Sequence, residues 1–124
     1  KNIPGFKSYA AIDGGMTDNI RPALYQAVYE GILANKADSI STETVTVCGK
    51  CCESGDILMK DTLLPPAEAG DILAMFSTGA YGFSMASNYN RVPRAPIVLV
   101  KEDGTTQEVV RRETYEDLIR NDIV

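Results

Sequence analysis

Short apolar runs broken by polar and turn-forming residues set the pattern of this chain, with little long-range helical spacing. Ser8 to Asp13 alternates loosely and ends at Gly14-Gly15, and Thr42 to Cys48 is rich in β-branched residues. Asp56 to Asp61 and Asp71 to Ser77 continue the pattern on either side of a break from Pro65 to Gly70, so each of these stretches reads as a strand. Ile97 to Lys101 and Glu108 to Arg111 read as a hairpin around Asp103-Gly104. Helical spacing occurs in two places. Ala23, Leu24, Ala27, Val28 and Gly31 fall on one face of a helix that Asp18 or Asn19 can cap, with Pro22 in its first turn. Glu113 to Ile119 closes the chain as a short helix with Tyr115, Leu118 and Ile119 inward. Ala34 to Ser41 reads as a polar connection. The strands predict an antiparallel, mainly β domain.

Between the second and third strands lies Gly49-Lys50-Cys51-Cys52-Glu53-Ser54-Gly55-Asp56, which sets thiol, carboxylate and hydroxyl groups side by side on a loop. It reads either as a reactive cluster or as a connection with a buried structural cysteine. Arg21 and Tyr25 stand four apart, so a cation and a phenol can grip one carboxylate, or simply be a solvated Arg beside a packed Tyr. From Thr78 to Arg91 the chain is rich in small residues around Tyr81 and Asn88-Tyr89-Asn90, as in a ligand-approaching segment or a surface loop.

Composition narrows the chemistry. With 124 residues the chain fits one domain, and a formal charge of −5 opposes nucleic acid or an anionic membrane as partner. Without a run of about 18 apolar residues or a signal-peptide pattern, a soluble protein with the cytoplasm as default location is expected. Lys1 has no Met before it and the chain runs at once into a strand, which suggests a piece of a longer polypeptide. All three cysteines lie within Cys48 to Cys52, and there is no histidine, so a Ser-His or Cys-His nucleophile pair is excluded. Cys48-Gly49-Lys50-Cys51 is a C-x-x-C, yet no helix follows to stabilise a thiolate and no further ligands suit zinc.

Taken together, Asp13-Gly14-Gly15-Met16 with Arg21-Pro22-Ala23-Leu24-Tyr25, then Cys52-Glu53-Ser54-Gly55-Asp56, then Gly79-Ala80-Tyr81-Gly82 with Met85-Ala86-Ser87-Asn88-Tyr89-Asn90 resemble the C-terminal domain of diaminopimelate decarboxylase. The chain also ends on that family's Arg112-Glu113-Thr114-Tyr115-Glu116-Asp117-Leu118. The resemblance implies a Greek-key-like β-barrel or sandwich, like the C-terminal domains of alanine racemases and decarboxylases. It further implies that residues 1–124 are one domain of a two-domain pyridoxal-phosphate enzyme whose missing N-terminal α/β barrel carries the cofactor lysine. None of the six lysines here sits in a matching motif. By the same resemblance Arg21 and Tyr25 hold a substrate carboxylate, Tyr81 lies against cofactor and substrate, and Glu53 takes the distal ammonium of meso-diaminopimelate. Cys52 is then the proton donor, reaching its site across a homodimer interface. Related ornithine and arginine decarboxylases carry aspartate after the cysteine, so Glu53 points to diaminopimelate. Such a domain is expected to be inactive without its barrel. The alternatives are a non-catalytic β domain for partner binding or dimerisation, and a C-x-x-C redox module.

Overall fold

A computed structural model describes residues 1–123. It is mainly β with short helices, as expected. Strands β1 (Asn2–Ile3), β2 (Lys7–Ala11), β4 (Glu43–Cys48) and β5 (Ile57–Leu64) form one sheet in the order β1-β2-β4-β5. Strands β3 (Gly31–Leu33) and β6 (Leu73–Met75) pair separately, as do β7 (Ile97–Val100) and β8 (Thr106–Val110). Helices α1 (Arg21–Tyr25), α2 (Gly79–Met85) and α3 (Tyr115–Ile119) sit between or after them. Among the described residues no helix is long and apolar enough to cross a membrane.

The core lies where β4 meets β5. Val45 and Val47, two apart and therefore on one side of β4, pack with Leu58, Met59 and Leu64, and Ala10, Ile12, Tyr29, Leu73 and Met75 close over them. Each such side chain contributes roughly 1.5–3 kcal/mol on burial, which makes β4 and β5 the rigid centre. The pairing runs from Val45 with Thr62 to Val47 with Met59, so Lys60 and Asp61 together face Thr46 in a bulge. Asp61 takes a left-handed φ of 49° there, accepting a 3.1 Å hydrogen bond from the Thr46 hydroxyl and a 2.8 Å bond from Lys7 Nζ.

One pairing differs from the antiparallel expectation and decides where the loops go. Strands β2 and β4 are parallel, Tyr9 facing Thr46 and Ala11 facing Cys48. Both strands therefore leave the sheet at the same end, and β5 enters from that end because it runs antiparallel to β4. The segments after Ala11 and after Cys48 are forced together. An antiparallel β2 would have sent them to opposite ends.

The first helix is also shorter than its spacing predicts. It ends at Tyr25 because Gln26 takes a left-handed conformation (φ 56°), and Ile20 occupies the cap position. Asp18 turns back to accept the Gly15 N–H at 3.0 Å, while Asn19 Oδ1 accepts the Arg21 N–H at 3.3 Å. Leu24 and Val28 are exposed, and Gly31 belongs to β3, a strand that the apolar pattern did not reveal. A β-carbon at Gly31 would lie 2.6 Å from the Ala74 carbonyl oxygen, so tertiary contact selects glycine there. In α3, Leu118 is half-buried whereas Tyr115 and Ile119 are exposed, contrary to the inward face expected. Thr114 and Asp117 form a capping box at its start.

Asp71 ties the proline-rich break to the turn after β3. It accepts from Lys36 Nζ (2.8 Å), Asn35 Nδ2 (2.7 Å) and the Glu68 N–H (2.8 Å). Those bonds, led by Lys36 and then Asn35, hold its carboxyl at about 2. A carboxyl depressed on folding stabilises above its unfolded value, about 3.9, and that contribution fades as pH falls toward the folded value. Asp71→Asn is therefore expected to melt below the parent at pH 6 and to converge with it between about pH 4 and 2. Thermal unfolding across that range checks this, and a constant gap would contradict it.

Candidate active site

The end of the sheet shared by β2, β4 and β5 carries the residues singled out from the sequence. Asp56 organises it. Only 2% exposed, its carboxylate accepts the Met16 N–H through Oδ1 (2.6 Å) and the Cys51 N–H through Oδ2 (2.7 Å). One side chain thus clamps the loop after β2 to the loop after β4. The Ile12 N–H to Cys48 carbonyl bond (3.0 Å) closes the same seam, and the Gly49 N–H to Asp56 carbonyl bond (3.0 Å) closes the base of the loop between β4 and β5. A β-carbon at Gly49 would collide with the Asp56 carboxylate and the Gly15 backbone, which explains glycine there. Asp56 lies just before β5, not within it as the apolar run implied, and its clamping role had no sequence signal beyond the motif itself.

The clamp sorts the cysteines. Cys51 is half-buried, and burial, followed by the nearby Asp56 charge, pushes its thiol up. Cys52 is exposed, on the tip that the clamp holds out. Beside it, Glu53 accepts a hydrogen bond from the Tyr89 hydroxyl. That bond, with burial, the Glu53 charge and the adjacent Cys51 and Cys52 as lesser causes, raises the Tyr89 phenol.

A second group forms around Arg21. Its guanidinium lies 5.3 Å from the Tyr25 ring centre and 5.1 Å from that of Tyr81, within cation–π range of both. Among the described residues it makes no ion pair. Tyr81 reaches it through a strained backbone. Ala80 (φ −68°, ψ 125°) and Tyr81 (φ 66°, ψ −20°) interrupt α2 as a type II turn, with Tyr81 where glycine or asparagine is usual. Such strain costs on the order of 1 kcal/mol and clusters at functional sites. The two groups adjoin, since a β-carbon on Gly55 would touch that of Ala23 in α1 at 3.6 Å.

The loop bearing Tyr89 is anchored from the C-terminal segment. Asn88 Nδ2 donates to Glu113 Oε2 (2.6 Å) and to the Val92 carbonyl (3.1 Å), and the Arg94 N–H donates to Glu113 (2.9 Å). The Arg94 N–H first, then Asn88, lower the Glu113 carboxyl. The Ser87 N–H to Thr17 carbonyl bond (3.0 Å) ties this loop to the one after β2. A cleft of about 700 Å³ opens nearby between Ile12, Leu58, Leu73, Met75 and Phe83, but none of Arg21, Tyr25, Cys52, Glu53 or Tyr81 lines it.

Residues 1–79 match the family described as pyridoxal-dependent decarboxylase, C-terminal sheet domain. The chain belongs to this family. Over 123 residues it is 56% identical to the diaminopimelate decarboxylase of Bacillus subtilis, covering 99% of this chain and 28% of that protein. Among solved structures, diaminopimelate decarboxylase from M. jannaschii in complex with L-lysine is 41% identical with a TM-score of 0.89, over 100% of this chain and 28% of that one. The Helicobacter pylori diaminopimelate decarboxylase complexed with L-lysine is 38% identical with a TM-score of 0.82, over 90% and 27%. The chain thus spans under a third of the length of these relatives.

Within a pyridoxal-dependent family the donor set here fits one wall of a cofactor site and no more. Tyr81 offers an exposed ring, and its neighbour Gly82 is buried. Tyr89, Asn88 and Glu113 are the contributors that sequence reasoning placed in motifs without assigning roles.

Proposed function

We propose that residues 1–124 form the C-terminal domain of a longer, two-domain diaminopimelate decarboxylase, which converts meso-diaminopimelate to L-lysine and carbon dioxide. The observation that carries this reading is the Arg21 guanidinium, flanked by Tyr25 and Tyr81 and lacking a carboxylate partner among the described residues. A cation so placed is a receptor for a substrate carboxylate, and its planar fork suits bidentate binding. Glu53 supplies the complementary anion for the distal ammonium, and the exposed Cys52 beside it supplies a proton to the carbon that loses carbon dioxide.

Bound pyridoxal phosphate supplies the electron sink for loss of carbon dioxide. This chain contributes Tyr81 to the wall of that site, while the cofactor lysine lies in a preceding barrel domain. The remaining work of this chain is to bind both ends of the substrate and to hold the thiol in place. Cys52 acts across the interface of a homodimer. The exposed Leu24, Tyr25 and Val28 on and after α1 offer apolar area for such a contact. Without its barrel the domain is inactive, and the enzyme works in the cytoplasm.

Arg21→Lys tests the reading. It keeps the charge but loses the fork and the aromatic stacking, so KM for meso-diaminopimelate should rise about tenfold in the enzyme joined to its barrel. An unchanged KM would remove Arg21 from carboxylate binding.

A further inference from the structure

The carboxylate of Glu53 has one hydrogen-bond partner among the described residues, the Tyr89 hydroxyl, 36 positions away in sequence. Glu53 is exposed and sits on a loop, where a free glutamate would sample many rotamers at an entropic cost to any ligand that fixed one. Tyr89 is held firmly. The residue before it is bolted to Glu113 and Val92 through Asn88, and Arg91 at the end of the same turn pairs with Asp122 at 2.9 Å. Ser87, two positions earlier, is bonded to Thr17. The donor is thus fixed by the C-terminal segment and the loop after β2, whereas its acceptor belongs to the loop after β4. The bond engages Oε1 and leaves Oε2 as acceptor.

We infer that Tyr89 is a positioning residue for substrate specificity: its hydroxyl aims the Glu53 carboxylate at the distal ammonium of the substrate. The inference rests on the proposed role of Glu53 and adds a determinant in the Asn88-Tyr89-Asn90 segment. Its work is done through Glu53, so it sets how well a diamino diacid is told from a monoamino one and has little part in the chemical step.

The test is a double-mutant cycle of Tyr89→Phe and Glu53→Gln in the full-length, cofactor-loaded enzyme, with meso-diaminopimelate and α-aminopimelate, which lacks the distal amine, as substrates. For Tyr89→Phe we expect KM for meso-diaminopimelate to rise about tenfold with little change in kcat. The ratio of kcat/KM between the two substrates should fall by a similar factor. In the Glu53→Gln background the same substitution should change that ratio less than about twofold. Equal losses on both substrates, or effects that add across the cycle, would overturn the inference and show that Tyr89 is merely structural. A Glu53→Gln enzyme with an unaltered ratio would instead overturn the role of Glu53 itself, and the inference with it.

Discussion

Cys52→Ala in the enzyme joined to its barrel is expected to lower kcat for meso-diaminopimelate about a thousandfold while KM stays near the parent value. A positioned proton donor contributes about 10²–10⁴ in rate. In the role proposed for it the thiol acts on the reacting carbon after the substrate is bound, so its loss should be felt in turnover. The neighbouring thiols sharpen the expectation. Cys51 is half-buried with its thiol pushed up by burial and by Asp56, and Cys48 ends β4. Cys48→Ala and Cys51→Ala should change kcat less than about fivefold. Carbon dioxide release under saturating substrate measures all three. Parent-like turnover in Cys52→Ala would assign the proton to another group, and comparable losses in all three would favour a dithiol role.

The second large effect is structural first and catalytic through structure. Asp56→Ala leaves two part-buried N–H groups, those of Met16 and Cys51, without their acceptor, each costing about 1–3 kcal/mol. A total near 3 kcal/mol would lower the melting temperature of this domain by roughly 10 °C. Asp56→Asn should fall between the two, because its amide offers one oxygen and turns an NH₂ toward the other N–H. Both variants should also lose activity more than an equally destabilised core variant such as Leu64→Ala, since the freed loop carries Cys52. Denaturant unfolding and turnover below the melting temperature give the two readouts. A melting temperature within about 2 °C of the parent would show that Asp56 is not the clamp.

The core strand β4 was legible through β-branched residues such as Val45 and Val47, and the β7–β8 hairpin, which lies outside the core, through its apolar run and its Asp103-Gly104 turn. Direction was not. Alternation is the same in parallel and antiparallel strands, and the parallel pairing of β2 with β4 is a long-range event that no local residue encodes. The false extension of α1 has a similar origin: Gln26 gives no glycine-like warning of a left-handed stop, and Gly31 is required by contact with Ala74. At the site, motif resemblance named Arg21, Tyr25, Cys52, Glu53 and Tyr81, and the structure shows Arg21 lying against both tyrosines. The Tyr89–Glu53 bond and the Asp56 clamp stayed hidden because each joins loops far apart in sequence. The turn at Ala80-Tyr81 was hidden for a different reason. A tyrosine in the left-handed position of a type II turn violates the rule by which such turns are recognised.

We propose that this chain is the substrate-recognition domain of a decarboxylase. Carbon dioxide release from meso-diaminopimelate with added pyridoxal phosphate tests it most directly, measured for the chain alone and for the chain joined to a barrel domain of its family. Silence alone and turnover when joined are expected, with ornithine a poor substitute. Turnover by the chain alone would contradict the placing of the cofactor lysine outside it, and a folded, cofactor-loaded fusion that releases no carbon dioxide would contradict the proposed function.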